Sequence, residues 1–136
     1  MAIEWTPDLA VGVEEIDNQH KELFKRVDSL LVAMRDGKGK DEIGTIVTFL
    51  QDYVVTHFGA EEAYMARYFY PGQVQHKAEH TRFVKDFLDL KSSLEAGGSG
   101  STFIVMINRQ VGDWLRSHIG KTDKALGEFL RLKLAA

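Results

Sequence analysis

Apolar positions recur at three- and four-residue intervals along most of the chain, the period of an α-helix with one buried face. Four segments carry the pattern. In the first, about 17–36, His20, Leu23, Phe24, Val27, Leu30, Leu31 and Met34 share a side. In the second, about 41–68, the inner stripe is Ile43, Ile46, Val47, Leu50, Val54, His57, Phe58, Glu61 and Met65. The third, about 73–95, turns His76, His80, Phe83, Val84, Phe87 and Leu94 inward. The fourth, about 102–119, does so with Ile104, Ile107, Val111, Trp114, Leu115 and His118. The punctuation agrees with these limits. Asp17 suits an N-cap and Gly37 a helix stop. Pro71-Gly72 divides the second segment from the third, and Gly97-Gly98-Ser99-Gly100-Ser101 reads as a flexible turn. Residues 1–16 read as an irregular arm in which Trp5 is a packing anchor, and about 124–134 as a short amphipathic tail helix. Four helices of about 20 residues with short links predict an all-α, up-down-up-down antiparallel four-helix bundle, a single domain over 1–136.

The polar residues inside these apolar stripes carry the chemistry. All five histidines of the chain, His20, His57, His76, His80 and His118, fall on inner faces. His57 and Glu61, and His76 and His80, are four residues apart, so each pair shares a helix face. In an antiparallel bundle the start of helix one, the later part of helix two, the start of helix three and the end of helix four meet at one end. At about 1.5 Å per residue the five histidines share a slab about 10–15 Å deep. Unpartnered buried ionisable groups are costly, and one shared metal site would satisfy them together. His118 and Asp123 are five residues apart, a rotation of about 140° on an ideal helix. Asp123 therefore reaches the same site only if the helix ends or distorts, and Gly120 offers a place for that.

Composition narrows the chemistry. With no cysteine, thiolate catalysis, disulfides, zinc-thiolate sites and iron–sulfur clusters are excluded, and a metal must be held by nitrogen and oxygen. Seven ligands exceed what one ion takes from a protein, so two ions with Glu61 and Asp123 as bridges fit. Nitrogen-rich octahedral coordination favours iron, with cobalt, manganese and zinc open on ligand type alone. A net charge of −3 gives no sign of a nucleic-acid partner. No run reaches the roughly 18 apolar residues of a membrane span, and the Met-Ala-Ile-Glu-Trp start lacks signal-peptide character. These features predict a cytoplasmic protein without membrane insertion.

The set of motifs resembles the hemerythrin family, in its single-domain bacterial form. The resemblance is carried by Val11-Gly12-Val13, Ile16-Asp17-x-Gln19-His20, Leu23-Phe24, His57-Phe58-x-x-Glu61-Glu62 and Tyr70-Pro71. It continues in His76-x-x-x-His80 and in Trp114-Leu115-x-x-His118-Ile119-x-x-x-Asp123-Lys124. It implies an oxo- or hydroxo-bridged pair of iron ions. One would be held by His76, His80 and His118, the other by His20 and His57, with Glu61 and Asp123 bridging and one position left open for dioxygen. It also implies an apolar pocket lined by Leu23, Phe58, Trp114, Leu115 and Ile119. The expected role is reversible dioxygen binding for storage, transport or delivery to an oxygen-consuming enzyme, by a monomer that is not itself an enzyme. The other readings are a sensor of oxygen, nitric oxide or redox state, a di-iron oxidase or peroxidase, and iron storage. Five histidines against two carboxylates distinguish the site from the carboxylate-rich centres of ferritin-like enzymes.

Overall fold

A computed structural model describes residues 3–97 and 100–134, and all the regular structure among them is helical. Helix α1 runs Glu14–Arg35, α2 Lys40–Arg67 and α3 Gln73–Glu95. The fourth rod begins as α4 (Ser101–Ile107) and passes through a π-helical stretch, Asn108–Asp113. It resumes as α5 (Trp114–His118), widens again over Ile119–Asp123 and finishes as α6 (Lys124–Leu134). The four rods form an antiparallel bundle in which α1 packs on α2 and α4, and α2 on α3.

Local chemistry sets the helix ends. Gly37 takes a left-handed φ of 70°, which lets Lys38 N–H reach back to Ala33 C=O at 3.0 Å and Gly37 N–H to Met34 C=O at 3.2 Å. Those two bonds satisfy the last carbonyls of α1 as a glycine stop should. At its other end α1 departs from expectation. It starts at Glu14 with Val13 as N-cap, and Asp17 lies one turn inside. Asp17 still satisfies free donors, but those of the arm: its carboxylate accepts the N–H of Val11 at 2.8 Å and of Gly12 at 3.2 Å.

The arm is built into the core. Pro7–Leu9 form a 3-10 turn, and Ile3, Leu9, Val11 and Val13 are buried. Trp5 is half-buried against the core, with the Lys21 ammonium 4.6 Å above its ring.

The fourth helix and the tail helix, expected to be separated near residue 120, are one continuous rod. The residues at each junction, Asn108, Trp114, Ile119 and Lys124, all keep right-handed helical backbone angles. No break is needed because widening the helix absorbs the register change that a stop was expected to supply. Gly98 and Ser99 of the expected turn lie outside the described residues. On α3 the inward stripe includes Leu90, which the pattern reading passed over, while Val84 and Leu94 are only partly buried.

The interior divides lengthwise. Leu30, Leu31, Val47, Leu50, Leu90 and Ile107 fill one end with hydrocarbon, whereas the other end holds all the buried polar side chains found among the described residues. A cleft of about 500 Å³ opens among Met34, Ile43, Val47 and Leu94 at the apolar end, away from the histidines. No helix among the described residues is long and apolar enough to cross a membrane.

Candidate metal centre

Each rod delivers its polar groups by its own periodicity. Helix α1 supplies His20, α2 supplies His57 and Glu61 one turn apart, and α3 supplies His76 and His80 one turn apart. The fourth rod supplies His118 and Asp123. Between the last two lies the π-helical stretch Ile119–Asp123, whose wider turn closes on the fifth residue. The distortion that the five-residue spacing required is therefore present, and it brings Asp123 onto the face of His118. All seven side chains are at most 4% exposed.

The Nε2 atoms of all five imidazoles converge on the two carboxylates. His20 lies 3.3 Å from Glu61 and 3.0 Å from Asp123, and His57 lies 3.2 Å from Glu61. His76 lies 3.2 Å from Glu61 and 3.0 Å from Asp123, His80 3.0 Å from Glu61, and His118 3.1 Å from Asp123. Two ligands about 2.1 Å from a common ion at right angles sit about 3.0 Å apart. These nitrogen–oxygen separations match the edge of such a coordination polyhedron.

The angles tell the same story. Nε2 of His80 and of His118 and both oxygens of Asp123 are buried without a hydrogen-bond partner, despite their short separations. Four buried polar atoms this close together call for a shared partner that satisfies them at once. Two overlapping sets can each surround one ion: Glu61, His76, His80, His118 and Asp123, and His20, His57, Glu61 and Asp123. The residues present thus fit metal, and the donor set of imidazole nitrogen and carboxylate oxygen suits iron.

Without metal the cluster is a charge network. Burial works to lower the pKa of His20 and His76, but the close carboxylates of Asp123 and Glu61 outweigh it and raise both to about 9. His118 is raised by Asp123 in the same way against its burial. Burial works to raise Glu61, yet His20 and His57 hold it well below the usual carboxylate range. Asp123 is likewise held low by His118, His20 and His76, against both its burial and the charge of Glu61. Mutual pairing of His20, His76, His118, Glu61 and Asp123 holds the donor atoms of the cluster facing one another, preorganised for a cation.

A surrounding layer orients the rings; the sequence motifs include Gln19 and Glu62 without a role for them, and Glu79 lies outside those motifs. Nδ1 of His57 faces the Gln19 side-chain oxygen at 2.6 Å, that of His80 faces Glu62 at 2.9 Å, and that of His118 faces Glu79 at 2.8 Å. Each contact fixes Nε2 as the inward atom. Gln19, Glu62 and Glu79 are sequence neighbours of His20, Glu61 and His80; adjacency to a ligand was the available signal.

The expected lining residues lie in the same buried end. Phe58 stacks on the His80 ring at 3.8 Å with 3° between planes, and Trp114 stacks on His118 at 4.4 Å and 10°. Leu23, Leu115 and Ile119 are fully buried, and Trp114 is half-buried.

Known proteins resemble this chain over nearly its whole length. Residues 11–130 match the family model of the hemerythrin HHE cation-binding domain. The chain is 37% identical to a bacteriohemerythrin of Methylococcus capsulatus over 127 residues, 93% of this chain and 95% of that protein. It is 32% identical to a hemerythrin-like protein of Naegleria gruberi over 119 residues, 88% of this chain and 86% of that one. The crystal structure of a wild-type hemerythrin superposes with a TM-score of 0.82 at 34% identity, covering 94% of this chain and 97% of the other. A family match over nearly the whole bundle, joined to a buried histidine–carboxylate cluster able to bind metal, places this chain in the hemerythrin family.

Proposed function

We propose that this protein holds two iron ions and binds dioxygen reversibly, serving to store it, carry it or deliver it to an oxygen-consuming enzyme. The observation that carries the reading is the inequality of the two overlapping ligand sets. One has three histidines and the other two, with Glu61 and Asp123 common to both. If both ions prefer six ligands, the two-histidine position has room for a small molecule. The iron pair, when bound, supplies the electrons for reversible binding of dioxygen.

The chain's own residues do the rest. Glu61 and Asp123 fix the separation of the two positions. Gln19, Glu62 and Glu79 hold the imidazoles of His57, His80 and His118 with Nε2 inward. Phe58 and Trp114 clamp the His80 and His118 rings face to face. Leu23, Leu115 and Ile119 form apolar walls that disfavour water and unpaired charge at the site. Burial of every ligand to 4% exposure or less favours a diatomic gas over an organic substrate. The same argument leaves sensing of oxygen or nitric oxide as the second reading, since a sensor needs the same walls.

The deciding experiment is the optical spectrum of the iron-loaded protein, cycled between anaerobic reduction and air. Reversible binding gives a charge-transfer band that appears with oxygen and disappears under vacuum. Immediate irreversible oxidation with no such band would overturn the carrier reading in favour of a redox sensor or an oxidase.

A further inference from the structure

The five imidazoles are not backed alike. In the three-histidine set, His80 faces the carboxylate of Glu62 and His118 that of Glu79. The same Glu79 oxygen accepts the Thr122 hydroxyl at 3.0 Å, so it also ties α3 to the π-helical stretch that carries Asp123. Among the described residues, the only Nδ1 partner in the two-histidine set is the neutral amide of Gln19 on His57, and Nδ1 of His20 is buried without a partner. Nδ1 of His76 is also unpartnered. Both carboxylates are about one-third exposed (32% and 33%), so they complete the wall of the cluster between its buried interior and solvent.

A carboxylate that accepts Nδ1–H pulls the proton toward itself and raises the electron density on Nε2; an amide oxygen does so far less. Negative charge is thereby directed at one metal position and withheld from the other. We propose that Glu62 and Glu79 are positioning residues that make the two metal positions unequal, so that the three-histidine position binds its ion more tightly and fills first. The inference rests on the two-ion reading, but not on the identity of the metal or on oxygen.

Titration with Co²⁺ under argon, followed by calorimetry and visible absorption, reads this without iron or gas. The wild-type protein is expected to take up two ions in two resolved steps. Glu62→Gln and Glu79→Gln each keep a side-chain oxygen to accept from Nδ1–H and lose only the charge. Each is expected to weaken the first step about 10-fold, and the pair up to about 100-fold, the range typical of such partners. The second step should move by less than about threefold. Gln19→Ala should do the converse, weakening the second step and sparing the first.

If the roles were merely structural, the glutamine variants would titrate like wild type; that result, or equal weakening of both steps, overturns the proposal. Should the double variant fail to fold, each single variant carries the same expectation. Uptake of one ion only by the wild-type protein would instead bring down the two-ion reading itself.

Discussion

At the scale of single residues, protons and metal compete for the same nitrogen atoms. A metal needs the bare Nε2 of a neutral imidazole. In the metal-free fold His20 and His76 are raised from the ordinary 6.5 to about 9, so at neutral pH both hold a proton that metal must displace. Affinity for a divalent ion should therefore climb with pH and level off above about 9, with protons released on binding. Calorimetry in buffers of different ionisation enthalpy counts them. The stability of the metal-free fold runs the other way. A histidine with a raised folded-state pKa contributes stability that is fully present below 6.5 and lost as pH rises through about 9. The gap in melting temperature between loaded and metal-free protein should widen across that window, and a gap that stays flat would refute the account. Leu115, 2% exposed, offers a test of the walls. Leu115→Ala should cost about 2–5 kcal/mol of stability and, by opening a path for water, accelerate autoxidation of the oxygenated iron protein. An autoxidation rate equal to wild type would show that Leu115 does not guard the site. The seven residues of the buried cluster were legible in the sequence because a histidine or carboxylate on an apolar stripe is anomalous, and because Asp123 follows His118 at a spacing that a distorted helix can close. The ring-orienting roles of Gln19, Glu62 and Glu79 were not, because polar residues flanking the stripe are what any helix shows.

At the scale of elements, the largest gap between pattern and structure lies in the fourth rod. Reading the chain with a 3.6-residue period puts Asp123 well off the face of His118, and the conflict is real for an α-helix. Two resolutions exist, a break or a wider turn, and spacing alone does not separate them. The rod takes the second over Ile119–Asp123, and that keeps Leu126 and Leu130 of α6 in register with the core. Docking of α6 in turn depends on the arm. A Cβ added at Gly127 would lie 2.2 Å from the Val11 carbonyl oxygen, so arm and helix approach more closely than any side chain permits. Gly127→Ala should push the arm at Val11 away and destabilise the fold by about 1–3 kcal/mol. The lowered denaturant midpoint should be accompanied by faster proteolysis within residues 3–13. Loss of stability without arm cleavage would place the strain elsewhere. The buried arm escaped the sequence reading because Ile3, Leu9, Val11 and Val13 have no helical period, and an aperiodic apolar segment looks like a loop.

At the scale of the whole molecule, antiparallel topology is what turns scattered histidines into a centre. Five residues spread from 20 to 118 meet because alternate rods reverse direction, and this much followed from helix order alone. The same topology separates the bundle into an apolar end and a polar end, and they should respond differently to loss of metal. Bound ions stabilise the folded state by mass action, about 4 kcal/mol when free metal exceeds its dissociation constant 1,000-fold. Removal by a chelator withdraws that contribution only where the ligands are. At the opposite end Leu30, Leu31, Leu50 and Ile107, each at most 1% exposed, keep their packing. Hydrogen exchange on chelated protein should therefore show lost protection around His20, His57–Glu61, His76–His80 and 118–123. Amides near Leu30, Leu50, Leu90 and Ile107 should remain protected, with the helical circular dichroism largely unchanged. Uniform loss of protection along all four rods would mean that the bundle is one cooperative unit held closed by metal. Local loss would mean that a hydrocarbon half-bundle serves as the scaffold on which a separately stabilised metal half is built.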